Sequence, residues 1–189
     1  MLVLRDRVLN APLMSLQTGT EVGRTAAAII DPRRLIIVAF YCEGPQIDQQ
    51  PAVIHTSDIR EFSNIGMIID SADSIMQPED LVRLQEVLAF HFSLEGKQVV
   101  DSGGQKLGKV VNYTIDPSSF YIMKLHVKPP LLQSLSAAEL LIDRSQIQSV
   151  DDKRIVVSQP TIRDTRHVPA PIENPFRKAR PQAEAIEQK

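Results

Sequence analysis

A chain of 189 residues, 43% of them hydrophobic, is long enough to bury one or two cores, which excludes a wholly disordered protein. Its formal net charge of −2 and pI near 6.1 supply no global pull toward nucleic acid or anionic lipid. One cysteine, Cys42, excludes an intrachain disulfide and any cysteine-based metal cluster within a subunit, in keeping with a reducing, cytoplasmic setting.

The first ten residues mix apolar side chains with Arg5, Asp6 and Arg7, so they read neither as a signal peptide nor as a membrane span. No apolar run elsewhere is long enough to span a bilayer, and membrane insertion is not expected. Gly19 then marks a tight turn, and Gly23 sits inside an apolar-Gly-basic triplet. Asp31-Pro32 places a side-chain acceptor and a fixed φ at the first two positions of a type I turn between strands. The strand after it, Ile36 to Tyr41, is apolar on both faces, with Ile36, Val38 and Phe40 assigned inward and Ile37, Ala39 and Tyr41 outward. A strand of that kind is normally covered on both sides. Ile37, Ala39 and Tyr41 are therefore candidate partner-binding residues, unless the linking helix or the other half of the chain covers them.

Pro78 to Phe92 carries Leu81, Leu84, Val87, Leu88 and Phe92 at helical spacing, with Glu79 and Asp80 in the first turn and Ser74 as a candidate cap. It reads as an amphipathic helix, stopped near Gly96, that packs onto the strands or between the halves. Gly103-Gly104 next marks a hairpin, Gly108 repeats the apolar-Gly-basic triplet, and Asp116-Pro117 repeats the turn. Tyr121, Met123, Leu125 and Val127 alternate with Ile122, Lys124, His126 and Lys128, the period of a half-buried strand whose first set faces the core.

These features form an internal repeat. Sliding the chain by 85 residues lays Gly23 on Gly108, Ile30-Asp31-Pro32 on Ile115-Asp116-Pro117 and Ile36 on Tyr121. After about three extra residues the match resumes, with Val53-Ile54 on Leu141-Ile142 and Ile68-Ile69 on Val156-Val157. Gly19, Gly23, Asp31, Pro32, Gly103, Gly104, Gly108, Asp116 and Pro117 are accordingly read as structural turn positions. The order of hairpin glycine, apolar-Gly-basic triplet, Ile-Asp-Pro and late Ile strand start resembles the photosynthetic-reaction-centre (PRC) barrel domain, most closely in VVDSGGQKLGKVVNYTID at 99–116. That resemblance covers about 10–70 and 94–158. It implies an all-β-dominated fold: two small antiparallel PRC-type β-barrels joined by the amphipathic helix. The boundaries are 1–75 for the first barrel, 76–93 for the linking helix and 94–159 for the second barrel.

The remainder, 160–189, is rich in proline and charge, with Pro160, Pro169, Pro171, Pro175 and Pro181, and is expected to be a disordered tail. Within it Phe176, Arg177 and Lys178 make a candidate linear motif for a partner's groove.

Catalytic patterns are sparse. His55, His91, His126 and His167 lie apart without ligand spacing, and Asp70 and Asp73 read as a solvated turn. There is no P-loop, no G-x-S-x-G elbow and no dinucleotide fingerprint. No cofactor, no metal and no enzymatic activity are expected. Members of the resembled family share docking surfaces rather than active sites, which implies an adaptor whose barrel surfaces, with the tail motif as a further candidate, dock a protein partner or a second copy of the chain. The alternative is an accessory role in ribosome or RNA maturation, since the bacterial 16S rRNA maturation factor carries one such barrel; Lys106, Lys109, Lys124, Lys128 and Tyr121 are the residues that would serve it.

Overall fold

The computed structural model describes residues 1–130 and 139–158. The first half contains β1 (Val3–Leu4), α1 (Arg5–Val8), β2 (Pro12–Ser15), β3 (Glu21–Asp31), β4 (Ile36–Glu43), β5 (Ala52–His55), β6 (Ile59–Ser63), β7 (Gly66–Ile69) and β8 (Ile75–Met76). After α2 (Val82–Leu88) come β9 (Gln98–Asp101), β10 (Lys106–Ile115), β11 (Ile122–Lys128), β12 (Leu140–Asp143), β13 (Ile147–Val150) and β14 (Arg154–Val157). Single 3-10 turns, Thr56–Asp58 and Arg144–Gln146, join β5 to β6 and β12 to β13.

The strands build two seven-stranded sheets. In the first the order is β6-β7-β2-β3-β4-β5-β8; in the second it is β13-β14-β9-β10-β11-β12, with β1 added on β10. Six positions correspond one for one, in the order that the sequence repeat pairs them. Both sheets are mixed, because β2 pairs with β7, and β9 with β14, in parallel. The expectation of antiparallel barrels is corrected on this point. A period-two pattern says which face a side chain takes and nothing about strand direction. In each half the 3-10 turn carries the chain from one end of the strand order to the other, and the following hairpin lays β7 or β14 along the free edge of β2 or β9. Among the described residues the end strands of each sheet do not pair with one another, so hydrogen bonding does not close either sheet into a barrel.

β1 pairs with the second sheet, Val3 opposite Ile115 and Leu4 opposite Thr114, and Arg5 forms an ion pair with Glu95. The halves share one core rather than holding one each. A continuous cluster runs from Leu13, Ile37, Phe40 and Ile54 through Phe120 to Ile122, Leu125 and Ile155, and the Phe40 and Phe120 rings meet edge-on at 5.9 Å.

The linking helix is shorter than its periodicity predicts. Pro78–Asp80 forms a 3-10 turn, Leu81 occupies the cap position of α2 without a side-chain cap bond, and Ser74 instead ends a separate 3-10 turn capped by Ser71. Tightened bonds from the Phe90 and His91 amides to Val87 and Leu88 close the helix, and His91 takes φ 45°. Leu84 and Val87 are buried on Ile29, Ala39 and Val53 of the first sheet's outer face, with Leu81, Leu88, Val38 and Tyr41 around them. Each such buried side chain stabilises by roughly 1.5–3 kcal/mol, which suffices to hold a helix that lacks a cap. Phe92 lies beyond the helix, against the shared core. The tail expected to be disordered, with Phe176, Arg177 and Lys178, falls outside the described residues, and no described helix is long and apolar enough to cross a membrane.

Candidate functional site: the seam between the halves

The two Asp-Pro turns build the centre of the molecule. Asp31 accepts from the Arg33 amide, and Asp116 accepts from the amide and hydroxyl of Ser118 and the hydroxyl of Ser119. Those bonds hold the Asp116 carboxyl below its ordinary range, the Ser119 hydroxyl contributing most. Each turn ends on an apolar residue with positive φ, Leu35 at 45° and Phe120 at 57°. Left-handed backbone costs a non-glycine residue about 1–2 kcal/mol. Yet Leu35 and Phe120 are only 4% and 6% exposed, and burying such side chains returns roughly 1.5–3 kcal/mol each, so the conformation is stabilised by the packing it makes.

It also aims two carbonyls across the seam. The Ile122 amide donates to Leu35 O and the Ile37 amide to Phe120 O, both at 3.0 Å, on either side of a single bridge between Ile36 and Tyr121. When the 85-residue offset is applied the two hydrogen bonds exchange and the Ile36–Tyr121 bridge maps onto itself, so the seam has local two-fold symmetry within one chain.

A β-bulge places the isoleucines there. Ile30 opposes Ile37 while Ile29 opposes Ala39, which leaves Val38 as the extra residue; Ile115 opposes Ile122 while Thr114 opposes Lys124, which leaves Met123. The bulge reverses the strict alternation read from sequence. Ile37 and Ile122, assigned outward, are fully buried, whereas Ile36, Val38, Tyr121 and Met123, assigned inward, are only partly buried. The candidate partner face therefore divides: Ile37 joins the shared core, Ala39 lies fully buried under α2, and Tyr41 is partly buried beside it. In this structure the chain itself covers Ile37 and Ala39.

The seam's two flanks differ. On one, Arg144 projects from its 3-10 turn, donating through Nη1 to Leu35 O (3.0 Å) and Ile122 O (3.1 Å) and through Nη2 to Arg34 O (2.6 Å), with its guanidinium 4.8 Å from the Tyr121 ring centre. Arg34 donates to the Tyr121 hydroxyl at 2.9 Å. On the other flank the repeat sets Thr56 in place of Arg144, and its hydroxyl reaches only the carbonyls of Ile37 (3.3 Å) and Val38 (3.0 Å). That flank is a cleft of about 460 Å³ between His55–Ser57, the strand residues Ile59 to Phe62, and Pro117–Phe120. The His55–Ser57 turn separates it from a groove of about 710 Å³ that runs between α2 and the Asp31–Val38 hairpin.

Sequence reasoning missed this cleft. The missing signal was the apolar residue closing each Asp-Pro turn, where a polar residue or glycine is usual. Of the turn glycines, Gly19 and Gly104 take φ of 68° and 84° in open space. Gly108 does something else: at φ 148° any Cβ would strike the Lys128 carbonyl and Val127. Gly23 likewise permits close passage of the Glu43 backbone. Burial pushes the Cys42 thiol up to about 12, which makes it a packing residue. Asp70 is held below its usual range by the paired Arg60 guanidinium, with both contacts at 2.7 Å. Among the described residues no group of three His, Cys, Asp or Glu is placed to hold a metal ion.

Comparison with known proteins agrees with the second half of the repeat. The family model of the PRC-barrel domain matches residues 88–163. No curated protein matches the chain. Among solved structures, the chain is similar to a proposed 16S ribosomal RNA processing protein, RimM, from Pseudomonas aeruginosa, at 16% identity and a TM-score of 0.29, covering 84% of this chain and 97% of that one.

Proposed function

We propose that this protein is a non-catalytic docking module, a tandem of PRC-type domains in which residues 10–73 are a diverged second copy of the matched one. The observation that carries the reading is the unequal seam. Two related halves lock through symmetric backbone bonds, one flank is filled by Arg144, and the other is left as a cleft, with a groove along α2 on the far side of the His55–Ser57 turn. Concave surface bordered by Phe62, Pro117 and Phe120 and by hydroxyls of Ser57, Ser118 and Ser119 suits recognition of a protein segment. Its chemistry is that of binding. The reading includes a cytoplasmic setting.

An accessory role at the ribosome or on RNA is the second reading, and one feature favours it. Lys109 stands directly opposite Lys128 on β10 and β11, a like-charge pair that an anionic partner would relieve. Affinity capture from the native host, with wild type beside Ser119→Arg and Lys109→Glu/Lys128→Glu, separates the two. The docking reading expects a stoichiometric protein partner that Ser119→Arg loses and nuclease treatment leaves in place. Retention of every partner by Ser119→Arg, or capture that nuclease or the lysine variant abolishes, overturns it in favour of the second.

A further inference from the structure

We infer that the open flank of the seam receives an arginine side chain from a partner protein; the inference rests on the docking reading above. The molecule contains its own pattern for such a site. On the closed flank a guanidinium is held by the carbonyls of Arg34, Leu35 and Ile122. The repeat places the carbonyls of Ser119, Phe120 and Ile37 at the corresponding positions on the open flank. Phe120 O already accepts the Ile37 amide, as Leu35 O accepts that of Ile122 while also binding Arg144, so a second acceptor site remains on it. Ser119 O, the counterpart of the carbonyl that Arg144 binds at 2.6 Å, has no hydrogen-bond donor among the described residues.

The space has a cause as well. Ser118 and Ser119 stand where the closed flank has Arg33 and Arg34, and Thr56 stands in place of Arg144, so three long side chains are replaced by three short ones. Electrostatics favour a cation. Arg60 is neutralised by its bidentate pairing with Asp70, while Glu61 in the same wall has no ion-pair partner among the described residues. His55 accepts the Ser57 amide through Nδ1, within its own turn. Ile59, Phe62 and Pro117 offer apolar surface for the methylene stem. Convergent carbonyls select the planar fork of arginine over the point charge of lysine.

The test is a ¹⁵N–¹H titration of the full chain with acetyl-Gly-Arg-Gly-amide, its citrulline analogue as a neutral isostere, and its lysine analogue. Saturable shifts are expected at Thr56, Ser119 and Phe120 with the arginine peptide, and at least about 10-fold weaker binding of citrulline, since the charge-assisted bonds are lost. Thr56→Arg should fill the cleft from within and abolish those shifts. Glu61→Gln, an exposed change that leaves folding untouched, should weaken binding severalfold. Equal binding of citrulline, shifts mapping away from the seam, or no saturation at about 20 mM peptide, a range far weaker than the millimolar affinity of a small specific ligand, overturns the inference. If Ser119→Arg still loses the captured partner while the arginine peptide fails, docking stands and the arginine receptor falls.

Discussion

Replacing Phe120 tests the physical account of the seam, because two substitutions there should order themselves opposite to habit. Phe120 is 6% exposed, lies in the shared core, and meets Phe40 edge-on at 5.9 Å. Truncation to alanine removes that packing and leaves a cavity, at a cost of about 3–5 kcal/mol. Phe120→Gly loses the same ring and one carbon more. In ordinary backbone glycine would be the worse of the two by roughly 0.5–1 kcal/mol. At φ 57°, however, glycine escapes a left-handed penalty of about 1–2 kcal/mol that alanine still bears. Phe120→Gly should therefore be more stable than Phe120→Ala by several tenths to 1 kcal/mol, both lying well below wild type. Urea unfolding followed by circular dichroism reads the midpoints, and an unchanged slope shows that the unfolded state is comparable. If glycine is the less stable of the pair, the positive-φ turn is wrong; if alanine costs under about 1 kcal/mol, Phe120 does not plug the shared core.

Three further outcomes follow from the same geometry. Arg144→Ala should cost about 1–2 kcal/mol in urea unfolding, since charged hydrogen bonds to carbonyls are lost at a partly exposed site, and Arg144→Lys should recover little because an ammonium cannot reach three carbonyls at once. Cys42, with a thiol pushed up to about 12, should resist labelling by a thiol reagent at pH 8 until the protein unfolds. The sign for stability is fixed by the same shift: the folded pKa lies above the unfolded one, so this contribution is intact below about pH 9 and declines as pH rises toward 12. Cys42→Val should flatten that alkaline decline, and an unaltered decline refutes the burial argument. Gly108→Ala should cost more than about 2 kcal/mol because its Cβ meets the Lys128 backbone, whereas Gly104→Ala, in open space at φ 84°, should cost about 1 kcal/mol; the difference is read from thermal midpoints.

Local pattern carried much of the architecture. The 85-residue offset aligned Asp31-Pro32 with Asp116-Pro117, and both pairs begin the hairpin turns at which the halves meet. Leu84 and Val87 stood out by helical spacing and do cover a sheet face. Direction and register were not legible, because they are decided between distant segments. The parallel pairing of β2 with β7 depends on where a later hairpin lands, and the bulges at Val38 and Met123 exist because Ile37 and Ile122 are drawn into a core supplied by the other half. Ile37 illustrates the limit: its alternation assigned it outward with Ala39, yet one residue of slip sends it inside while Ala39 goes under the helix. The cleft was hidden for a related reason, since it arises from what Thr56, Ser118 and Ser119 lack relative to their counterparts.

The central claim is that the two halves form one unit, locked by reciprocal bonds from Ile37 to Phe120 and from Ile122 to Leu35. Native-state amide hydrogen exchange at Ile37 and Ile122 measures it directly. The account predicts that both amides exchange only through global unfolding, with equal free energies that fall together in Phe120→Ala. Fast exchange at either amide, or protection that tracks the unfolding of one half alone, would contradict it.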